Sequence, residues 1–476
     1  MRGGAEHISW LRQHVRSELE RFGVRAESRL LCAVSGGVDS IALLDVLAAL
    51  APEMGFWLGV LHADHGLRGE QSRQDAEFVH SIASAYGLPF TEETLPVAEY
   101  ARAHRCGLEM AARQLRYDFF TRHACQMAAT HLALAHTADD RAETLLLNLL
   151  RGAGIDGLSA MPPSRQLTPE CLLIRPLLAV RKAQLIAYAQ ARGLSWREDP
   201  SNRDRRFLRN RIRWELLPLL ESITPAAVRK LCQTATLLAQ ARQGIAQLLE
   251  PLLQQAALPE PGFHFPEEQL RRLPEFFRLQ LYRLALQQLG QTYAPGQSHL
   301  QRLLELERLP TGRLLPLGQG LYAVREHTGI SLLRRLPPLQ HRLITGCGTY
   351  RLDGWELEIT EVPAEEVRFT SDPAVEYVDA ERFPAQVLWR AARPGDRFHP
   401  LGMPAPMKLG DFLTAQRIPH YRRRSLSVLA EGSRVLWLCG VRLSAEVRVR
   451  RETQRFLRLH LRKVLPDACS DVSGTD

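Results

Sequence analysis

One short string sets the strongest limit on what this chain can become. Ser35-Gly36-Gly37-Val38-Asp39-Ser40 follows an apolar run, Arg29 to Val34, and opens a helical pattern from Asp39 to Leu50. Two adjacent glycines let the backbone turn tightly with its N–H groups facing the turn, and the helix behind adds its positive end. A strand that feeds a helix through so short a turn is half of a β-α-β unit, and such units build parallel sheets. The pattern continues. Phe56 to His62 reads as a strand, Ser72 to Tyr86 and Leu108 to Met127 as helices, His131 to Ala135 as a strand, and Asp140 to Arg151 as a helix. The expected fold is α/β, a parallel sheet with helices on both faces, over residues 1–215.

The pattern then changes. Ala226 to Leu258, Pro266 to Leu289 and Ser298 to Glu307 have helical spacing, followed by short strands Leu321 to Arg325 and Ile330 to Arg334. This predicts a mainly helical domain over 216–340. Thr349 to Leu352 and Trp355 to Ile359 flank Asp353-Gly354, a strong hairpin signal. With strands at Val435 to Val441 and Leu457 to Leu461, it predicts a small β-rich domain over 341–466. The tail, 467–476, is polar and expected to be disordered.

Charge points toward an anionic partner. Lys plus Arg is 61 against 52 acids, a net +9, and only Lys182, Lys230, Lys408 and Lys463 are lysines. Arginine suits phosphate because its guanidinium donates two parallel hydrogen bonds. No apolar run reaches the ~18 residues of a membrane span, and Met1 to Trp10 contains no apolar signal core. A cytoplasmic protein with no membrane partner is expected. Its 8 cysteines are scattered without a C-x-x-C pair, which argues against zinc and iron–sulfur sites.

The Ser35–Ser40 string offers backbone N–H groups and two hydroxyls to phosphate oxygens, with Asp39 as the expected magnesium ligand. No Walker lysine follows, so the P-loop NTPase pattern fails. Gly152-Ala153-Gly154-Ile155-Asp156-Gly157 matches the dinucleotide fingerprint formally, but it follows a helix, so NAD is rejected. His62 and His65 lack the partners a metal site needs. Asp139 and Glu143 stand four apart at a helix start and can face the same way. Arg203, Arg205, Arg206, Arg209, Arg211 and Arg213 crowd together beside Phe207 and Trp214. Such a cluster can track a nucleic-acid backbone. Arg422 to Arg424, and Arg458, His460 and Arg462, form a second basic group.

The loop string is the signature of the N-type ATP pyrophosphatases, or PP-loop proteins. The residues after it narrow the resemblance: His62 to Arg68 (HADHGLR), Glu109 to Tyr117 (EMAARQLRY), His136 to Thr144 (HTADDRAET), Arg151 to Leu158, Arg175-Pro176-Leu177, Asp199 to Asn202 and Arg209 to Arg213. In this order they resemble the tRNA(Ile)-lysidine synthase family. Arg393-Pro394-Gly395-Asp396-Arg397 and Lys408 resemble that family's last domain. The resemblance implies ATP with magnesium as co-substrate, free L-lysine as substrate, and tRNA(Ile) with a CAU anticodon as partner; it admits a homodimer. It implies that ATP contacts Ser35, Gly36, Gly37, Val38, Asp39, Ser40, His65 and Arg68. Asp39, Arg113, His136, Asp139, Asp140 and Glu143 would be catalytic, with Asp139 and Glu143 receiving the lysine. Arg151, Arg205, Arg206, Arg209, Arg213, Arg397 and Lys408 would contact tRNA. The competing readings are a non-catalytic tRNA-binding protein and another PP-loop enzyme such as a tRNA thiolase.

Overall fold

The computed structural model describes residues 2–66, 69–197, 205–259, 261–290, 297–334, 340–423 and 426–464. The chain divides into two compact units, Met1–Gly244 and Ile245–Asp476.

The first unit is the expected α/β layer structure. Its elements run α1 (Arg2–Arg21), β1 (Arg29–Ala33), α2 (Val38–Met54), β2 (Trp57–Asp64), α3 (Glu70–Ala85), β3 (Phe90–Thr94), α4 (Val97–His104), α5 (Leu108–Gln126), β4 (His131–Ala133), α6 (Ala138–Leu150), α7 (Ile155–Leu158), β5 (Ser164–Gln166), β6 (Leu172–Ile174) and α8 (Lys182–Arg192). After these come α9 (Leu208–Arg211), a π-helical turn (Ile212–Leu216), α10 (Leu217–Ile223) and the long α11 (Ala227–Ala256). The sheet order is β3-β2-β1-β4-β6-β5. Every pairing is parallel except that of edge strand β5 with β6.

Two apolar clusters cover the two faces of this sheet. One joins Leu30, Cys32, Leu58 and Val60 to α1, α2 and α8; the other joins Leu31, Leu61 and Leu132 to Phe119 and Phe120 of α5. Strands buried on both faces must be apolar throughout, which is why β1 and β2 are legible as short continuous runs. Strand order reverses between β1 and β4. Crevices at such reversals, beyond the carboxyl ends of the strands, are where open α/β sheets hold ligands. Both sharp motifs sit there: Ser35–Ser40 follows β1, and His136–Thr144 follows β4.

The second unit contains a helical part, α12 (Glu267–Arg272), α13 (Glu275–Gln288) and α14 (Gln297–Glu307), with a four-stranded sheet. That sheet, in order β7-β10-β9-β8, comprises β7 (Gly262–Pro266), β8 (Leu314–Gly318), β9 (Leu321–Arg325) and β10 (Gly329–Arg334). Helix was expected from Pro266 to Leu289. Instead the chain breaks at Leu273 and Pro274, because proline's ring excludes a continuous helix there. Its first residue also ends β7, which pairs with β10.

Two further sheets form the β-rich end. One runs β11 (Arg342–Ile344), β15 (Val387–Ala391), β18 (Ser427–Glu431), β19 (Arg434–Leu438), β16 (Arg397–Phe398), β17 (Met407–Lys408), with β20 (Arg442–Leu443) beside β19. The other is β12 (Gly348–Leu352), β13 (Trp355–Val362), β21 (Phe456–Lys463), β14 (Val375–Asp379). Trp389 and Trp437 from the first and Leu357 and Leu459 from the second share one core. Asp353 and Gly354 both have positive φ, 48° and 78°, as a hairpin turn twisted like its strands requires. Among the described residues no helix is long and apolar enough to cross a membrane. The tail expected to be disordered lies outside the described residues.

Candidate active site

The Ser35–Ser40 loop is braced by its own side chains. Gly36 has φ +87°, a conformation other residues reach only with strain. Ser35 N donates to Ser40 Oγ at 3.2 Å, and Ser40 Oγ donates to Gly37 O at 2.9 Å. Gly37 caps α2 without a side-chain hydrogen bond. The first N–H groups of α2 therefore have no internal acceptor, and an anion supplies one. Asp39, in that first turn, lies 3.4 Å through Oδ2 from Lys182 Nζ, while its buried Oδ1 has no hydrogen-bond partner. Burial pushes its carboxyl up to about 6, with Lys182 pulling the other way. An orphaned, mostly buried carboxylate oxygen beside a phosphate cradle fits magnesium, which takes one or two carboxylates and completes its shell with phosphates and water. Among the described residues no three His, Cys, Asp or Glu side chains group as a metal cage.

The neighbouring segment begins one strand away. Thr137 caps α6 in a reciprocal box: its N–H donates to Asp140 Oδ2 at 2.9 Å, and Asp140 N–H donates to Thr137 Oγ1 at 3.3 Å. The other oxygen of Asp140 accepts from Arg213 Nη2 at 3.3 Å. Glu143, 1% exposed, accepts from Arg213 Nε at 2.5 Å and from Arg209 Nε at 3.0 Å. Burial raises the Asp140 carboxyl, but His136, Arg209, Thr137 and Arg213 outweigh it and hold the group ionised. His136 is half-buried, and its Nδ1 has no partner. Burial pushes the imidazole down to about 3 despite Asp140, so it is neutral at pH 7.

Several expected residues lie elsewhere. Asp139 and Glu143, four apart on α6, take different partners. Asp139 accepts from Lys182 N–H at 2.7 Å and from Arg181 Nε at 3.1 Å, so it ties α6 to the start of α8. Arg209 and Arg213, expected on the RNA-facing cluster, point inward, because buried Glu143 requires counter-charge. The π-helical turn holding Arg213 is a local widening of the kind that often marks functional segments. Arg205 and Arg206 are exposed, as are Phe207 and Trp214. Arg151 is exposed at the end of α6, which Gly152 terminates with φ +70°. Arg113 is exposed and lies over Tyr117 rather than against Glu109. His65 is half-buried beyond the end of β2, whereas buried His62 contacts Val34 O at 2.8 Å through Nδ1 and joins β1 to β2. Arg68, Arg203, Arg424 and Asp199 to Asn202 lie outside the described residues. In the second unit Arg397 and Lys408 are exposed cross-strand neighbours.

Lys182 was missed as a site residue. Its rarity in a chain with four lysines was the available signal, but no local pattern joined it to Asp39.

Residues 11–220 match the family model described as PP-loop domain, and residues 387–461 match the TilS substrate C-terminal domain. The chain is 38% identical over 438 residues to a tRNA(Ile)-lysidine synthase of Geobacter sulfurreducens, covering 89% of this chain and 91% of that protein. It is 32% identical over 467 residues to the synthase of that name from Dehalococcoides mccartyi, covering 95% and 99%. The corresponding protein of Symbiobacterium thermophilum is 35% identical over 480 residues, covering 95% and 98%.

Proposed function

The chain belongs to the tRNA(Ile)-lysidine synthase family, and from that premise we propose that it joins free L-lysine to C2 of the wobble cytidine of a tRNA(Ile) with the anticodon CAU. The product reads AUA instead of AUG. ATP is split to AMP and pyrophosphate.

The reaction has two steps. O2 of the cytidine attacks the α-phosphorus of ATP; an O–P bond forms, the bridging P–O bond breaks, and pyrophosphate leaves into the Ser35–Ser40 loop. Asp39, with its orphaned Oδ1, would hold a magnesium ion, which would supply charge neutralisation for the phosphates. The lysine ε-nitrogen then attacks C2, and the C2–O bond breaks to release AMP. A lysine amine has a pKa of ~10.4, so nearly all of it arrives protonated. Asp140 and Glu143 are the carboxylates suited to bind that ammonium and accept a proton. They are adjacent, ionised or buried, and already hold cationic groups. Asp139 serves instead to fix α8 and Lys182. General-base help of this kind contributes ~10²–10⁴ in rate. Neutral His136 is positioned as a hydrogen-bond partner for the base or the adenylate.

One observation carries this reading: the phosphate cradle with its orphaned Asp39 oxygen and the buried Asp140–Glu143 cation site stand at the ends of adjacent strands. The tRNA contacts we assign to Arg151, Arg205, Arg206, Arg397 and Lys408 are exposed cations. Incubation with ATP, magnesium, labelled lysine and transcripts of tRNA(Ile) and tRNA(Met), followed by nucleoside analysis, tests it. Lysidine in the tRNA(Ile) transcript alone is expected. Binding of tRNA with no AMP and no lysidine would instead favour a non-catalytic protein, and label from a sulfur donor a thiolase. Sedimentation of the same sample reads whether the active species is a homodimer.

A further inference from the structure

The reaction as described leaves one charged cluster unused. Tyr117 on α5 is ringed by guanidinium groups. The Cζ atoms of Arg165, Arg113 and Arg116 lie 4.2, 5.1 and 6.0 Å from its ring centroid. Arg175, 3% exposed, adds a fourth cation. It donates through Nη1 to Pro162 O at 2.8 Å, and its buried Nε has no partner. Burial raises the Tyr117 phenol, but Arg165, Arg113, Arg175 and Arg116 together outweigh it and hold the group below its ordinary value. Among the described residues none of these four arginines has a carboxylate within 4.0 Å.

Unpaired cations this close repel one another, and a buried cation without a partner costs several kcal/mol. Such a cluster is stable when an anion joins it. Two other anionic groups of the reaction fit the cluster poorly. Arg175 follows β6, beyond the same strand ends as the Ser35–Ser40 loop but two strands away, and Arg165 lies within β5, three strands away. At ~4.8 Å per strand that is roughly 10–14 Å, beyond the reach of pyrophosphate seated on the loop. Free lysine has a carboxylate but carries net +1, so four positive charges repel it. An RNA strand delivers one negative charge per nucleotide. The cluster also borders the reacting site, since Arg116 and Arg175 lie close enough to His136 to oppose its protonation.

We propose that Arg113, Arg116, Arg165 and Arg175 around Tyr117 form a phosphodiester-binding belt that grips the RNA backbone next to the reacting cytidine. Arg113 and Arg165, the exposed pair, make the first contact, and Arg116 and Arg175 receive the phosphate deeper in. The belt holds the strand while the base reaches the adenylation site. This inference rests on the tRNA-ligase reading above.

The test uses R113A, R165A, the double variant and R165K in the full chain. An RNA hairpin carrying the CAU anticodon is titrated by filter binding across a salt series. Each alanine is expected to weaken binding by about 5–10-fold and to lower the salt slope by about 1, the double variant by about 2. R165K keeps the charge, so it should keep the slope while losing part of the affinity with the two-pronged hydrogen bond. For R165A and R165K, affinity for an ATP analogue and the KM for lysine with saturating tRNA should stay at wild-type values. Unchanged hairpin affinity and slope in the double variant overturns the belt. In R165A, a lysine KM raised tenfold with unchanged RNA binding overturns it in favour of a carboxylate site, and weakened nucleotide binding overturns it in favour of an ATP site. Lysidine formation by the wild-type protein in the same preparation is read separately: its absence, with the salt-slope change still present, removes the ligase reading and leaves the belt.

Discussion

At the scale of single residues, the site sets charge against burial. Asp39 keeps a mostly buried carboxylate beside a phosphate cradle, at a cost that lifts its pKa to about 6. D39N removes that cost along with the proposed magnesium ligand. The variant should melt at or above the wild-type temperature, bind tRNA normally, and lose at least 10²-fold in tRNA-dependent pyrophosphate release. A lowered melting temperature with normal turnover would contradict the assignment. Glu143 is the opposite case, a buried acid that holds two arginines. E143Q leaves those cations without their partner and should cost about 3 kcal/mol in a urea titration. It should still release pyrophosphate on mixing with ATP and tRNA, yet form no lysidine, because only the second step needs the ammonium site. Equal loss of both steps would place Glu143 in the first. Neither role was readable locally: spacing put Asp139 and Glu143 on one helix face, and only the approach of α8 and of Arg209 and Arg213 divided them.

At the scale of elements, α2 and α8 must be held in register for Lys182 to reach Asp39. Asp45, 1% exposed on α2, does this. It accepts from Tyr86 Oη at 2.6 Å, from Tyr188 Oη, and from Arg192 Nε and Nη2 at 3.0 and 2.9 Å. Burial alone would raise its pKa, but the hydrogen bonds from Arg192, Tyr188 and Tyr86 outweigh it and bring it below the ordinary carboxylate value. The group binds its proton less tightly when folded. Its contribution is therefore present above pH ~4, the unfolded carboxylate value, and disappears as pH falls below that. D45N should lose about 2 kcal/mol at pH 7, and the two urea midpoints should converge below pH ~3. Parallel curves throughout the acid range would show that Asp45 is not the proton-linked anchor. Helix α1 was not anticipated at all, although Leu11, Val15 and Leu19 are buried against α2 and α8; the expectation stopped at the charged residues before Trp10. Short strands β3, β5 and β6 were missed because three to five residues give too few alternations to register as period two.

Across the whole molecule, the two units divide chemistry from recognition in our proposal. Arg397 and Lys408 face each other across β16 and β17, a like-charge pair that a sheet ordinarily disfavours. Arg390 and Asp396, 2% and 3% exposed, pair beneath them and shape the turn that presents Arg397. R397A combined with K408A should weaken full-length tRNA about 10–100-fold and lower the salt slope by about 2. Nucleotide affinity should not change. A loss specific to one tRNA sequence, with the slope unaltered, would mean base readout instead of phosphate contact.

Local backbone chemistry wrote the outline of this protein into its sequence. Gly36, at φ +87°, sets the turn after β1, continuous apolar runs mark strands buried on both faces, and Asp353-Gly354 closes its hairpin, because each depends on residues a few positions apart. The partners of the charged side chains were settled only in three dimensions. Asp139 turned to α8, Arg209 and Arg213 turned inward to Glu143, Lys182 met Asp39, and four arginines from α5, β5 and the end of β6 gathered on Tyr117. A charge interacts with whatever the fold brings within a few ångströms, and sequence distance sets no limit on that.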